Sequence, residues 1–130
     1  LAKGEVDYSL EVLASVASHL RDGLSRGLAV SSLTRHPLFP DLPTLAESGL
    51  PGFDATSWFA LFAPKGTPPE IIKKLNDEAR KAIENPETRK RMTELGGDLK
   101  AMTPEELGAY QKAEFEKWAK VVKTSGARLD

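Results

Sequence analysis

The sequence predicts an α/β fold on three observations. Short apolar runs flank an amphipathic stretch near the start, a proline- and glycine-rich crossover fills the middle, and helix-start signals recur through the second half. Val6-Asp7-Tyr8-Ser9-Leu10 alternates weakly and is expected as a short strand. Val12, Leu13, Val16, Ala17 and Leu20 are spaced as one helical stripe, which Gly23 stops. Leu28-Ala29-Val30 is a second apolar run, ended by Ser31-Ser32. Two strands joined by a helix are expected to lie parallel, with a right-handed crossover.

From Arg35 to Thr67 prolines and glycines punctuate the chain, as in loops with a function. Within it, Thr44-Leu45-Ala46-Glu47 is a capping-box pattern that opens a helical turn closed by Gly49. Ser57-Trp58-Phe59-Ala60-Leu61-Phe62-Ala63 is a continuous apolar run, expected as a strand buried on both faces. Thr67-Pro68-Pro69-Glu70 is a second capping box with proline at the first helical position. It opens a helix to about Glu84 with Ile72, Leu75, Ala79 and Ile83 inward. Asn85-Pro86 restarts a helix that ends at Gly96, and 98–102 is expected as an edge strand. Thr103-Pro104-Glu105-Glu106 is a third capping box. Its helix runs to about Ser125 with Leu107, Tyr110, Trp118, Val121 and Val122 on one face and Gly126 past its end. These strands are few for so many amphipathic helices. Sheet partners are therefore expected upstream in a longer chain or on another subunit.

The 130 residues suit one domain. A net charge of −1 gives no field toward nucleic acid, and the absence of cysteine excludes disulfides, thiol nucleophiles and thiolate metal sites. No apolar run approaches the ~20 residues that span a bilayer. The start at Leu1, with strand-like residues almost at once, is read as a piece of a longer chain or a trimmed one.

Catalytic chemistry finds no constellation. His19 reads as a partly exposed helix residue and His36 as a polar loop residue, and neither stands at metal-ligand spacing. There is no Gly-x-Ser-x-Gly elbow, phosphate loop or dinucleotide fingerprint, and Glu105-Glu106 is helix-cap chemistry. The chain is read as a non-enzyme without a cofactor. Binding fits better. Ligands of open parallel sheets sit beyond the carboxyl ends of strands, here Ser9-Leu10-Glu11 and Ser31-Ser32, near free helix amides that favour an anion. Ser9, Ser31 and Ser32 are either hydroxyl donors there or turn serines. Glu11 either faces the cleft or acts as a first-turn acid. Trp58 either lines the cleft with its indole N–H or joins the core, where Phe59 is expected. Arg35 is either a solvated loop cation or a bidentate partner for a carboxylate.

Gly4-Glu5-Val6-Asp7, Arg26-Gly27-Leu28-Ala29-Val30, Pro40 through Gly49, Pro51-Gly52-Phe53, Ser57 through Pro64, Gly66-Thr67-Pro68, Thr103 through Glu106 and Trp118 through Gly126 follow one another in an order that closely resembles the carboxyl-terminal part of the Bug receptors. These are the extracytoplasmic substrate-binding proteins of tripartite tricarboxylate transporters. The likeness covers nearly the whole chain, and Leu42 to Pro68 is its most specific block. It implies a part of a periplasmic-binding-protein-like (type II) two-lobed α/β flytrap that closes on a small carboxylate in the periplasm and docks on membrane permease subunits. On that reading residues 1–56 end the second lobe. Residues 57–63 return to the first lobe, on which the last helices pack. The family often has an aspartate in a Phe-Asp-Gly-like run where this chain has Leu10-Glu11-Val12, and usually a glycine where it has Ala60.

The resulting expectation is a receptor part whose site includes Ser9, Leu10, Glu11, Ser31, Ser32 and Trp58. Its partners would be a small carboxylate, the upstream half of the receptor or a second copy of the chain, and the permease. The rivals are an interaction or dimerisation module derived from that fold and, further off, a small enzyme.

Overall fold

The computed structural model describes residues 6–128. Gly4 and Glu5, which open the resembling run, and the predicted boundaries at 1 and 130 lie outside them. The described residues contain four helices: α1 (Leu13–Arg21), α2 (Pro69–Glu84), α3 (Pro86–Glu94) and α4 (Pro104–Ser125). They divide into two compact units, one of residues 6–62 and 85–99, the other of 63–84 and 100–128.

In the first unit, α1 turns Leu13, Val16, Ala17 and Leu20 inward, and Ala17 is 3 % exposed. Val12 falls outside the stripe because it is the N-cap, in extended conformation and about half exposed. His19 and Arg21 lie in the last turn, where positive charge complements free carbonyls. Gly23 (φ +68°) then takes the left-handed conformation that ends the helix. α3 begins because the Asn85 side chain accepts from the amides of Glu87 (2.9 Å) and Thr88 (3.2 Å), with Pro86 at the first helical position. It stops at Leu95, and Gly96 follows with φ +81°. A Cβ on Gly96 would lie 3.1 Å from the Ala14 Cα and N, so the end of α3 sits directly on the first turn of α1.

In the second unit, α4 has the complete predicted cap. Thr103 accepts from the Glu106 amide (3.2 Å), and the Glu106 carboxylate accepts from the Thr103 amide (2.8 Å). Gly126 closes the helix with φ +69°. The cap expected at Thr67 is displaced. Its hydroxyl donates back to the Pro64 carbonyl (2.8 Å), the helix starts at Pro69, and Pro68 accepts from the amides of Ile71 and Ile72. Placing Pro69 at the first helical position makes Pro68, not Thr67, the cap residue, and proline has no side-chain oxygen to offer there. On α2 Ile72, Ala79 and Ile83 are half-buried as expected, but Leu75 is exposed. On α4 Leu107 and Tyr110 are half-buried, whereas Trp118, Val121 and Val122 are exposed. The Asn76 side-chain amide donates to the Met102 carbonyl (2.9 Å), tying α2 to the segment before α4. Glu114, 9 % exposed, bonds Lys117 and accepts from the Trp118 indole (3.0 Å), while the Lys117 ammonium lies 5.3 Å from the Trp118 ring centre.

The strand expectations need correction. Among the described residues the only β pairing is one parallel bridge, Val30 to Thr44. Val30 donates to Pro43 O and its own carbonyl accepts from Leu45, each at 2.9 Å. Residues 6–10, 57–63 and 98–102 are not strands. The predicted β-α-β pair is absent, because 28–30 finds its neighbour in the crossover rather than in 6–10. A strand exists only when another chain segment supplies the complementary hydrogen bonds. Phe59 is 91 % and Leu61 85 % exposed, so the apolar run is not buried on both faces and Phe59 is not core.

Candidate functional site

The expected ligand residues belong to the first unit. Ser9, Leu10 and Glu11 form the exposed lead-in to α1, and Leu10 is 91 % exposed. They make no hydrogen bond to other described residues. Glu11 precedes the Val12 cap, and the first turn of α1 contains no acid, which removes the first-turn reading of Glu11. The cap has no side-chain acceptor, because Val12 has none to offer. The start of α1 thus has no side-chain cap; the Ser15 amide donates to the Val12 carbonyl (2.9 Å), and Gly96 lies against the Ala14 backbone on one side.

Ser31 is held differently. Its hydroxyl donates to the Ala55 carbonyl (2.9 Å) and its carbonyl accepts from the Ala55 amide (3.0 Å). That reciprocal pair fixes the chain three residues before Trp58, which is half-buried. The structure thus brings Ser31 and the approach to Trp58 together. The Ser32 hydroxyl donates to the Thr34 carbonyl (2.8 Å). Both serine protons are already engaged by backbone, while their oxygens keep acceptor capacity and, on rotation, a donor.

The crossover that follows is built on an ion pair. Arg35 Nε donates to both carboxylate oxygens of Glu47 (3.2 and 3.0 Å), and its Nη1 donates to the Pro40 carbonyl (3.0 Å). Arg35 therefore meets a carboxylate, as one of its two readings held, and the carboxylate is the protein's own. Glu47 also accepts from the Thr44 amide (2.7 Å), and Thr44 Oγ1 accepts from the Glu47 amide (3.0 Å), completing the predicted capping box. Residues 44–49 form turns rather than a helix. Nearby, His36 Nδ1 accepts from the Leu38 amide (3.2 Å), which sets the ring by its backbone.

The bond from the Thr44 amide, reinforced by Arg35, holds the Glu47 carboxyl below its ordinary value of 4.5. A carboxylate with a depressed folded-state pKa stabilises the fold fully above its unfolded value and loses that contribution as pH falls through the folded one. The difference in melting temperature between the protein and Glu47→Gln is therefore expected to be constant near neutrality and to narrow below about pH 4.5. Thermal melts at a series of pH values measure it, and a gap unchanged down to acid pH would contradict the assignment.

Among the described residues no group of three acidic or histidine side chains is placed to hold a metal, and no helix is long and apolar enough to cross a membrane. Sequence reasoning missed the buried Glu114 with Lys117 and Trp118. The three- and four-residue spacings on one helix were the available signal.

The sequence profile described as "Tripartite tricarboxylate transporter family receptor" matches residues 1–127. The chain belongs to the tripartite tricarboxylate transporter receptor family. Protein BugT of Bordetella pertussis is 37% identical over 129 residues, which are 99% of this chain and 40% of BugT. Among solved structures, Rhodopseudomonas palustris Rpa4515 with adipate superposes with a TM-score of 0.88 at 35% identity, covering 97% of this chain and 42% of that one. MatC (Rpa3494) from the same species, with bound malate, gives 0.77 at 35% identity, covering 94% and 42%. The chain thus spans about two-fifths of the length of each of these three receptors. Its fold is that of a part of a periplasmic binding protein, in agreement with the α/β flytrap class expected from sequence. The family consists of solute-binding receptors.

Proposed function

We propose that the chain is part of an extracytoplasmic receptor that captures a small carboxylate in the periplasm and delivers it to the permease subunits of a tripartite tricarboxylate-type transporter. The observation that carries this is the likeness, over nearly all of the chain, to a receptor solved with adipate; the malate-bound relative points to the same ligand class. Residues 1–56 would end the second lobe of such a receptor, and 57–130 would return to the first. That division belongs to the assembled receptor and differs from the two units described above. Ser9, Leu10, Glu11, Ser31, Ser32 and Trp58 would form this chain's share of the pocket, with the uncapped start of α1 facing the carboxylate. Glu11 would exclude a second negative group nearby and favour a hydroxyl or a cation on the ligand.

Capture by a two-lobed receptor draws its affinity from the closed state, which needs both lobes. The 130-residue chain by itself is therefore expected to show no more than weak binding of adipate or malate by calorimetry. Joined to the amino-terminal remainder of a family receptor, it is expected to bind one of them with micromolar affinity or better. Ser9→Ala in that assembly should weaken binding roughly tenfold, the usual effect of losing one donor to a charged group. Tight binding by the isolated chain would overturn the two-lobe requirement, and an assembled receptor indifferent to carboxylates would overturn the ligand class.

A further inference from the structure

α4 carries an exposed seam that its own unit leaves uncovered. Gly108, Gln111, Phe115, Trp118 and Val122 recur at spacings of three and four, the pattern of a helix that meets another helix. All five are exposed, Phe115 at 76 %, Val122 at 50 % and Trp118 at 40 %. Together with Ala119 and Lys123, the last three line a shallow apolar groove. Along one edge of this seam run Glu105, Lys112, Glu116 and Lys123, spaced seven, four and seven apart. All four are exposed, and none has an ion-pair partner among the described residues.

The order of those charges selects the occupant. When two identical helices meet antiparallel, like edges face each other about a two-fold axis. With the axis beside Glu114, Glu105 of one copy faces Lys123 of the other, and Lys112 faces Glu116. Symmetry repeats both pairs, so four opposite-charge contacts flank the seam. That register overlaps the whole of α4, a length of about 33 Å for its 22 residues. Gly108 then stands near Val122, and the two Phe115 rings meet close to the axis. In a parallel pairing this edge would lie across from the opposite edge of the partner helix, so the four charges would not meet and the pairs would be lost. The helix dipoles also favour the antiparallel arrangement.

We propose that this chain by itself forms a two-fold dimer through the antiparallel pairing of α4 along this seam, independently of any carboxylate. One helix pair buries less than the ~800 Å² per partner of a standard stable interface, so association is weak and concentration-dependent. Charge order sets its register more than its strength.

Sedimentation of the 130-residue chain without added ligand, from about 10 µM to about 1 mM, is expected to show the mass rising toward roughly twice that of the monomer. Phe115→Glu should hold it monomeric throughout, with unchanged helical circular dichroism. Leu24→Glu, at an exposed apolar residue outside α4, should leave the association as it was. K112E or E116K alone should each weaken association roughly threefold or more, and K112E/E116K together should restore it, because the swapped charges face each other again. A wild-type chain that stays monomeric across the range would overturn the proposal and leave the seam to the rest of a receptor. So would a dimer indifferent to Phe115→Glu, or a double variant no better than the singles.

Discussion

Gly96→Ala is expected to lower the stability of the protein by about 2–3 kcal/mol, a fall of roughly 6–15 °C in melting temperature. Two independent effects add at this position. The backbone holds φ +81°, where a side chain is strained. A Cβ would also approach the Ala14 Cα and N at 3.1 Å and the Leu13 carbonyl carbon at 3.3 Å, and those are backbone atoms of a helix that cannot swing aside. Gly49→Ala separates the two effects, since Gly49 also has positive φ (110°) but nothing within 4 Å of an added methyl. Its cost should be nearer 1 kcal/mol, the conformational part alone. Equal losses at the two glycines would show that α3 does not rest on α1 as described. The contact matters beyond stability, because α1 begins immediately after Ser9, Leu10 and Glu11, and a displaced α1 displaces them.

Thr44→Val is expected to cost about 1–2 kcal/mol despite its near-identical shape. Thr44 is 1 % exposed, the most deeply enclosed side chain described. Its hydroxyl accepts from the Glu47 amide, its carbonyl accepts from the Ser48 amide (3.1 Å) and hydroxyl (2.8 Å), and it forms a parallel β bridge with Val30. Valine would leave the Glu47 amide without its partner and loosen the turn that presents Glu47 to Arg35. Hydrogen exchange should speed up at Glu47 and Ser48 and remain unchanged on α4. Thr44→Ser, which keeps the oxygen, should lose distinctly less. A valine variant as stable as the parent would remove Thr44 from the centre of the crossover.

What could be read from the sequence follows the range of the interactions. The starts of α3 and α4 were legible because Asn85 and Thr103 satisfy amides two or three residues away. The start of α2 slipped by one residue for an equally local reason, the choice between Pro68 and Pro69 as first helical residue. The inward stripe of α1 was legible, since helical spacing fixes it. The apolar run at 57–63 looked like core, yet the burial of Phe59 depends on what lies across from it, which its own residues do not encode. The strand at 28–30 shrank to one bridge for the same reason. On α4, periodicity marked the apolar residues but could not say which of them its own unit covers: Leu107 and Tyr110 are half-buried, Trp118 and Val122 are not. At the candidate site, the end of a predicted strand drew attention to Ser31. Its partner Ala55 lies 24 residues away and carried no signal. Arg35 and Glu47 are 12 apart, and only the capping-box pattern hinted that Glu47 was already committed.

The extended run that holds Phe59 and Leu61 has a consequence for handling the protein. Among the described residues, the amides of 59–63 bond to no other group, and the side chains of Phe59, Leu61 and Phe62 stand in water. Identical ribbons of this kind can stack edge to edge without limit. These five residues are thus one place where a concentrated solution can begin to cloud, and a single charge or proline among them is expected to reduce that clouding.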